Sequence, residues 1–163
     1  MRFRLILFIL VVCALAASLA AQTKFSSTIQ CAKSDPVYTI PVGDRPDHVF
    51  SISKTKCTYS TPLEMAGVAA TGEEFTSFND ISGSRARGRA VGITSMANGD
   101  RCFFAAQGAA TVKEGVSQTF EGTWSFTGGT GKLKGIKGKG TVRGTAAADG
   151  TFTFEVEGEY QLP

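Results

Sequence analysis

The sequence predicts an all-β chain folded as an antiparallel, closed β-barrel of about eight strands and preceded by a cleaved signal peptide. Three observations predict it. Apolar and polar residues alternate with a period of two through most of the second half. Glycine, 19 of 163 residues, is scattered without a three-residue period, as in turn-rich β proteins and unlike collagen. No stretch beyond the N-terminus carries a convincing amphipathic helical pattern. With 42% hydrophobic and 19% charged residues the chain can bury a core and has no disordered composition.

At the N-terminus, Arg2 and Arg4 precede the apolar run Leu5 to Ala17, and Ser18 and Ala20 supply small residues for a signal peptidase. Residues 1–20 therefore read as a signal peptide and residues 21–163 as one β-barrel domain, secreted or periplasmic. The run falls short of the roughly 18–20 residues that cross a bilayer, so no membrane span is expected. Cys13 is followed by further apolar residues, where a lipidated cysteine would begin a polar chain. Loss of residues 1–20 removes two arginines and no acids, so 17 basic against 14 acidic residues become 15 against 14. A near-neutral exported chain gives no case for nucleic-acid binding.

The strands follow in order. Lys24 to Cys31 and Asp47 to Tyr59 read as the first two, separated by an irregular loop, Ser34 to Pro46, that holds three prolines. Pro62 to Ala70 and Ser82 to Met96 are the next candidates. Arg101 to Val112 puts Cys102, Phe104, Ala106, Gly108 and Ala110 on one face, and Ser117 to Thr127 does the same with Phe120, Gly122, Trp124 and Phe126. Gly138 to Ala146 alternates glycines and Val142 with Lys139, Thr141 and Arg143. Thr151 to Leu162 sets Phe152, Phe154, Val156, Gly158 and Tyr160 against Thr153, Glu155, Glu157 and Glu159. Asn98-Gly99, Glu114-Gly115 and Asp149-Gly150 mark reversals between antiparallel neighbours.

Chemistry-bearing motifs are scarce. Gly128-Gly129-Thr130-Gly131-Lys132 lacks the first glycine and the closing hydroxyl of a phosphate loop, because Phe126 and Leu133 hold those places. It reads as a tight strand connection. Arg85, Arg87 and Arg89 share one strand face, and Lys132, Lys134, Lys137, Lys139 and Arg143 form a basic run; each is an anion-site candidate beside the plainer reading of a solvated face. His48 is the only histidine, so no multi-histidine metal centre can form, and a serine hydrolase built on it would lack its nucleophile elbow. Glu155, Glu157 and Glu159 face away from the aromatics, and Glu73 and Glu74 sit in a loop or strand start. No catalytic residue, metal or cofactor is therefore expected, and the sequence sets no oligomeric state.

The segment Gly122-Thr123-Trp124-Ser125-Phe126-Thr127-Gly128-Gly129-Thr130-Gly131-Lys132-Leu133, followed by Gly138-Lys139-Gly140-Thr141, resembles the allene-oxide-cyclase and dirigent barrel superfamily and its small uncharacterised secreted bacterial members. The resemblance implies an eight-stranded antiparallel barrel with an apolar cavity. In the plant members that cavity steers a cyclisation or a radical coupling through its shape and a few polar groups. Those groups have no residue-by-residue match here, so none is carried over.

The rows themselves also point to a cavity, since bulky strands (Phe120, Trp124, Phe126) alternate with small ones (Gly138, Gly140, Gly144; Ala86, Gly88, Ala90). The glycines equally suit a packed barrel in which they make room for aromatics. The leading expectation is a small apolar ligand held by Phe104, Trp124, Phe126, Phe154 and Tyr160. An isomerase or cyclase needs an inward acid or base; an envelope protein binding anionic glycan would use the lysine-rich strand. An outer-membrane barrel needs a bulky apolar outer row, which these Gly- and Ala-rich strands lack. Finally, Cys31 ends the first strand and Cys57 lies in the second, which predicts a Cys31–Cys57 disulfide with Cys102 buried and free.

Overall fold

The computed structural model describes residues 22–114 and 116–163, so the signal peptide expected over 1–20 lies outside the described residues. Ten strands form in chain order: β1 (Thr23–Cys31), β2 (Val37–Pro41), β3 (His48–Tyr59), β4 (Glu64–Met65), β5 (Val68–Ser82), β6 (Arg85–Met96), β7 (Arg101–Lys113), β8 (Val116–Gly129), β9 (Lys137–Ala146) and β10 (Phe152–Gln161). A 3-10 turn, Gly131–Leu133, joins β8 to β9. From β5 to β10 each strand pairs antiparallel with the next, β10 pairs with β1, and β3 pairs with both β1 and β5. The contacts of β3 close eight strands into a barrel, through a short seam with β1 (Ile29↔Tyr59 to Cys31↔Cys57) and a long one with β5.

Two upstream segments differ from the sequence reading. The proline-rich loop contains β2, which lies along the first half of β3 (Val37↔Ser53 to Pro41↔Val49), while β1 pairs with its last three residues, Cys57 to Tyr59. Pro36 and Pro41 flank or end that strand, where a missing N–H costs little at an edge. The Pro62–Ala70 candidate splits at Ala66-Gly67, both at positive φ, into the short hairpin β4–β5. β5 then runs on to Ser82, so Glu73 and Glu74 lie within a strand rather than in a loop.

Reversals fall where the turn dipeptides place them: Gly99, Glu114 and Gly150 all have positive φ. The connection after Gly128 also reads as expected, with Gly131 at φ 52 and the backbone N–H of Lys132 donating to Asp100 Oδ2 at 3.0 Å.

One end of the barrel is plugged. Leu63 and Met65 from the β4 region, Met96, Cys102, Leu133, Ile136 and Tyr160 form a buried cluster there. Beyond it, Cys31 stands directly opposite Cys57 and the two are disulfide-bonded, while Cys102 is free and fully buried. Closing a loop across 26 residues of separation stabilises the fold by about 3–4 kcal/mol through the unfolded chain.

Over β8, β9 and β10 the outer wall is charged. Lys139 faces Glu159, and Arg143 faces both Glu155 and Glu121. On the other side Lys54 pairs with Glu74 at 2.8 Å. Charged rows of this kind meet water, not hydrocarbon, and no helix among the described residues is long and apolar enough to cross a membrane.

Candidate functional site

Alternation in a closed barrel sends every second side chain inward, and here the inward rows do not fill the space. They enclose a cavity of about 510 Å³. Its closed end lies against the plug, at Tyr59, Leu63, Met65 and Thr94, and its mouth is framed by Lys33, Val37, Val116, Asp149 and Gly150.

The two halves of the lining differ in chemistry. From β7, β8 and β10 come Phe104, Phe120, Trp124, Phe126 and Phe154. Several of these rings meet at an angle: Trp124 and Phe126 are tilted with centroids 4.8 Å apart, and Phe120 meets Phe154 edge-on at 6.1 Å. Glycines opposite them supply the room. A Cβ on Gly158 would come within 2.4 Å of the Trp124 ring, and one on Gly144 within 2.4 Å of Phe154. The indole N–H of Trp124 donates to the carbonyl of Glu157 at 3.2 Å, which fixes the ring. Glycines thus seat the aromatics and a cavity still remains.

Facing this aromatic wall is a hydroxyl wall from β3 and β5. Ser51, Ser53, Thr55, Ser77 and Asn79 line the cavity, with Ser53 and Ser77 Oγ atoms 2.9 Å apart and Asn79 Nδ2 donating to Ser77 at 3.3 Å.

Deep on the hydroxyl side lies Glu73. Tyr59 Oη donates to its Oε2 at 3.1 Å and Thr94 Oγ1 donates to the same oxygen at 3.3 Å. Both donors are neutral. Burial outweighs these two hydrogen bonds and raises the Glu73 carboxyl to about 7. Burial first, and the nearby Glu73 charge second, push the Tyr59 hydroxyl upward and the Cys102 thiol up to about 12. An acid that titrates near neutrality in a cavity is equipped to donate a proton, to accept one, or to hold a counter-charge.

Of the residues expected at the pocket, Phe104, Trp124, Phe126 and Phe154 line the cavity. Tyr160 points inward but is set in the plug, where its hydroxyl accepts the N–H of Ala66 at 3.4 Å. Glu73 and the hydroxyl wall were missed. Glu73 and Glu74 are neighbours, and only the strand's parity decides that Glu73 enters the cavity while Glu74 pairs with Lys54 outside.

The other candidates lie outside the cavity. His48 begins β3 and is buried, with Nδ1 bonded to Asp44 and Nε2 to Asp80 Oδ1 at 3.0 Å. Both ring nitrogens are engaged by carboxylates, so no serine is activated by this histidine. Arg85, Arg87 and Arg89 stand on the exposed face of β6, and Arg89 lies over the Phe78 ring at 5.4 Å. On β9, Lys139 faces Glu159 and Arg143 faces Glu155 and Glu121, while Lys137 faces Gln161, so acids interrupt the basic run as an anion surface.

The fold and site define a class: a closed antiparallel β-barrel with an internal, half-aromatic and half-hydroxyl cavity. Among solved structures the chain is similar to the pterocarpan synthase dirigent protein PsPTS1 (12% identity, covering 86% of this chain and 95% of that one, TM-score 0.49). It is similar also to a protein of unknown function from the DUF3224 family of Shewanella oneidensis MR-1 (16%, 88% and 100%, TM-score 0.49) and to a pyocyanin demethylase (16%, 82% and 99%, TM-score 0.44). No protein-family model and no curated protein matches the sequence.

Proposed function

We propose that this chain is an exported barrel that binds one small, largely apolar molecule inside its cavity. The observation that carries the reading is the cavity itself: about 510 Å³ of space walled by aromatics on one side and hydroxyls on the other. Sites of this size and composition suit a ligand with an apolar body and one polar edge. The Cys31–Cys57 disulfide and the charged outer wall fit a secreted or periplasmic setting. Trp124 is the only tryptophan and lines the cavity, so it reports on occupancy. Titration with a panel of fatty acids and phenolics is expected to shift or quench its emission saturably for at least one member. A panel that leaves the emission untouched counts against binding.

Glu73 favours a second reading, an isomerase or cyclase that moves a proton within the bound molecule. Its position in the cavity and its rise to about 7 supply the inward acid or base such a reaction needs. Ligands that perturb Trp124 should then be converted by the native protein to isomers of unchanged mass, and Glu73→Gln should bind them without converting them. Equal product from both proteins, or none from the native one, removes this reading.

A further inference from the structure

Glu73 lacks a counter-ion in a place where a carboxylate needs one. Among the described residues that line the cavity, the only other charged side chains are Lys33 and Asp149, and both stand at the mouth. Around Glu73 itself, β3 presents Tyr59, β6 presents Thr94, the β4 region presents Met65, and Cys102 of β7 lies close by. All are neutral. Its two hydrogen bonds both come to Oε2. A neutral apolar ligand that fills the cavity would strip the remaining water from this carboxylate and offer nothing in exchange. An anion would be repelled. A cation would supply the missing charge, and the rings of Tyr59, Phe75, Phe104 and Trp124 in the same lining are surfaces that attract one.

Resting on the cavity-binding reading, we propose that the preferred ligand is a hydrophobic amine bound as its ammonium form, with the charged nitrogen at Glu73 and the apolar body along the aromatic wall. The geometry that supports this is a lone carboxylate at the closed end of an aromatic pocket, with hydroxyls rather than cations beside it. Proton linkage follows. Tyr59 and Cys102 are both pushed upward and stay neutral, so Glu73 is the group at this end that changes charge near neutrality. Amine binding should strengthen as pH rises to about 7 and level off above it, because the ionised carboxylate is the partner.

The test compares naphthylethylamine with its neutral isostere naphthylethanol by calorimetry on the disulfide-bonded, signal-free protein, at about pH 8 and about pH 5. The amine is expected to bind at least about tenfold more tightly than the alcohol at the higher pH, with the margin narrowing at the lower. In Glu73→Gln the margin should vanish while the alcohol binds at least as tightly as it does to the native protein, because the carboxylate it would desolvate is gone, and that binding also shows that the variant is folded with its cavity intact. Equal binding of the two probes by the native protein at about pH 8 overturns the proposal and leaves cavity binding standing. A margin that survives in Glu73→Gln overturns it too, and points to Asp149 at the mouth. Binding of neither probe overturns the cavity-binding reading and the proposal together.

Discussion

Replacing Gly140 with valine is expected to destabilise the barrel by about 4 kcal/mol or more, enough to unfold a domain of ordinary stability. Gly140 lies on the inward row of β9, opposite Gly158 on β10 and Trp124 on β8. A Cβ at this position would stand 1.9 Å from the carbonyl oxygen of Glu157 and 2.7 Å from the Cα of Gly158. Both are backbone atoms within a paired strand, so relief requires the β9–β10 ladder to separate; no side chain can rotate away. Trp124 would be disturbed as well, since its ring rests on Gly158. Thr141→Val, one residue along on the exposed face, should change stability by less than about 0.5 kcal/mol. Urea denaturation followed by Trp124 fluorescence measures both. A Gly140→Val protein within about 1 kcal/mol of the native one would show that the close approach of β9 and β10 is not a feature of the molecule.

The second half of the chain was legible because its strands obey the simplest rule. On β8 and β10 the bulky apolar residues face inward and the glutamates and threonines face out, so strand positions, faces and the aromatic wall all follow from alternation. β3 inverts that rule. Its large apolar residues, Phe50 and Ile52, stand on the outer face, with Ile52 47% exposed, while Ser51, Ser53 and Thr55 line the cavity. A reader who follows hydrophobicity assigns this strand the wrong parity. The partner strand compounds the difficulty, because Phe75 faces in and Phe78 faces out, its ring tilted against Phe50 at 5.4 Å. With the parity of β5 undetermined, Glu73 cannot be told from Glu74. β2 was hidden for a different reason: it pairs along the first half of β3, a tertiary contact that local sequence does not encode. The unreadable half of the cavity is thus the half where polar residues were placed inside, against the tendency that makes sequences readable, and the acid sits there.

That acid should leave a signature in stability. Glu73→Gln is expected to be more stable than the native protein by up to about 3 kcal/mol at about pH 8, and close to it at about pH 4.5. The folded protein holds the Glu73 proton until about 7, against an ordinary value of 4.5 for the free carboxyl. Below 4.5 both folded and unfolded chains carry the proton and the group makes no pH-dependent difference. Between 4.5 and about 7 the unfolded chain releases the proton while the folded one keeps it, so stability falls as pH rises through this window, and it is level above. Glutamine keeps an acceptor for the hydroxyls of Tyr59 and Thr94 and never has to carry a buried charge. Every other titrating group is common to the two proteins, so the difference between their stability curves isolates Glu73. Denaturant unfolding at several pH values across this range provides the curves. A difference that stays flat from about pH 4.5 to about pH 8 would mean that water reaches the carboxyl freely, and the case for Glu73 as a proton donor, acceptor or ammonium partner would go with it. A slope of the expected sign would mean that the native chain tolerates a destabilising carboxylate which a one-atom change would relieve, as proteins do where a buried charge serves a ligand or a reaction.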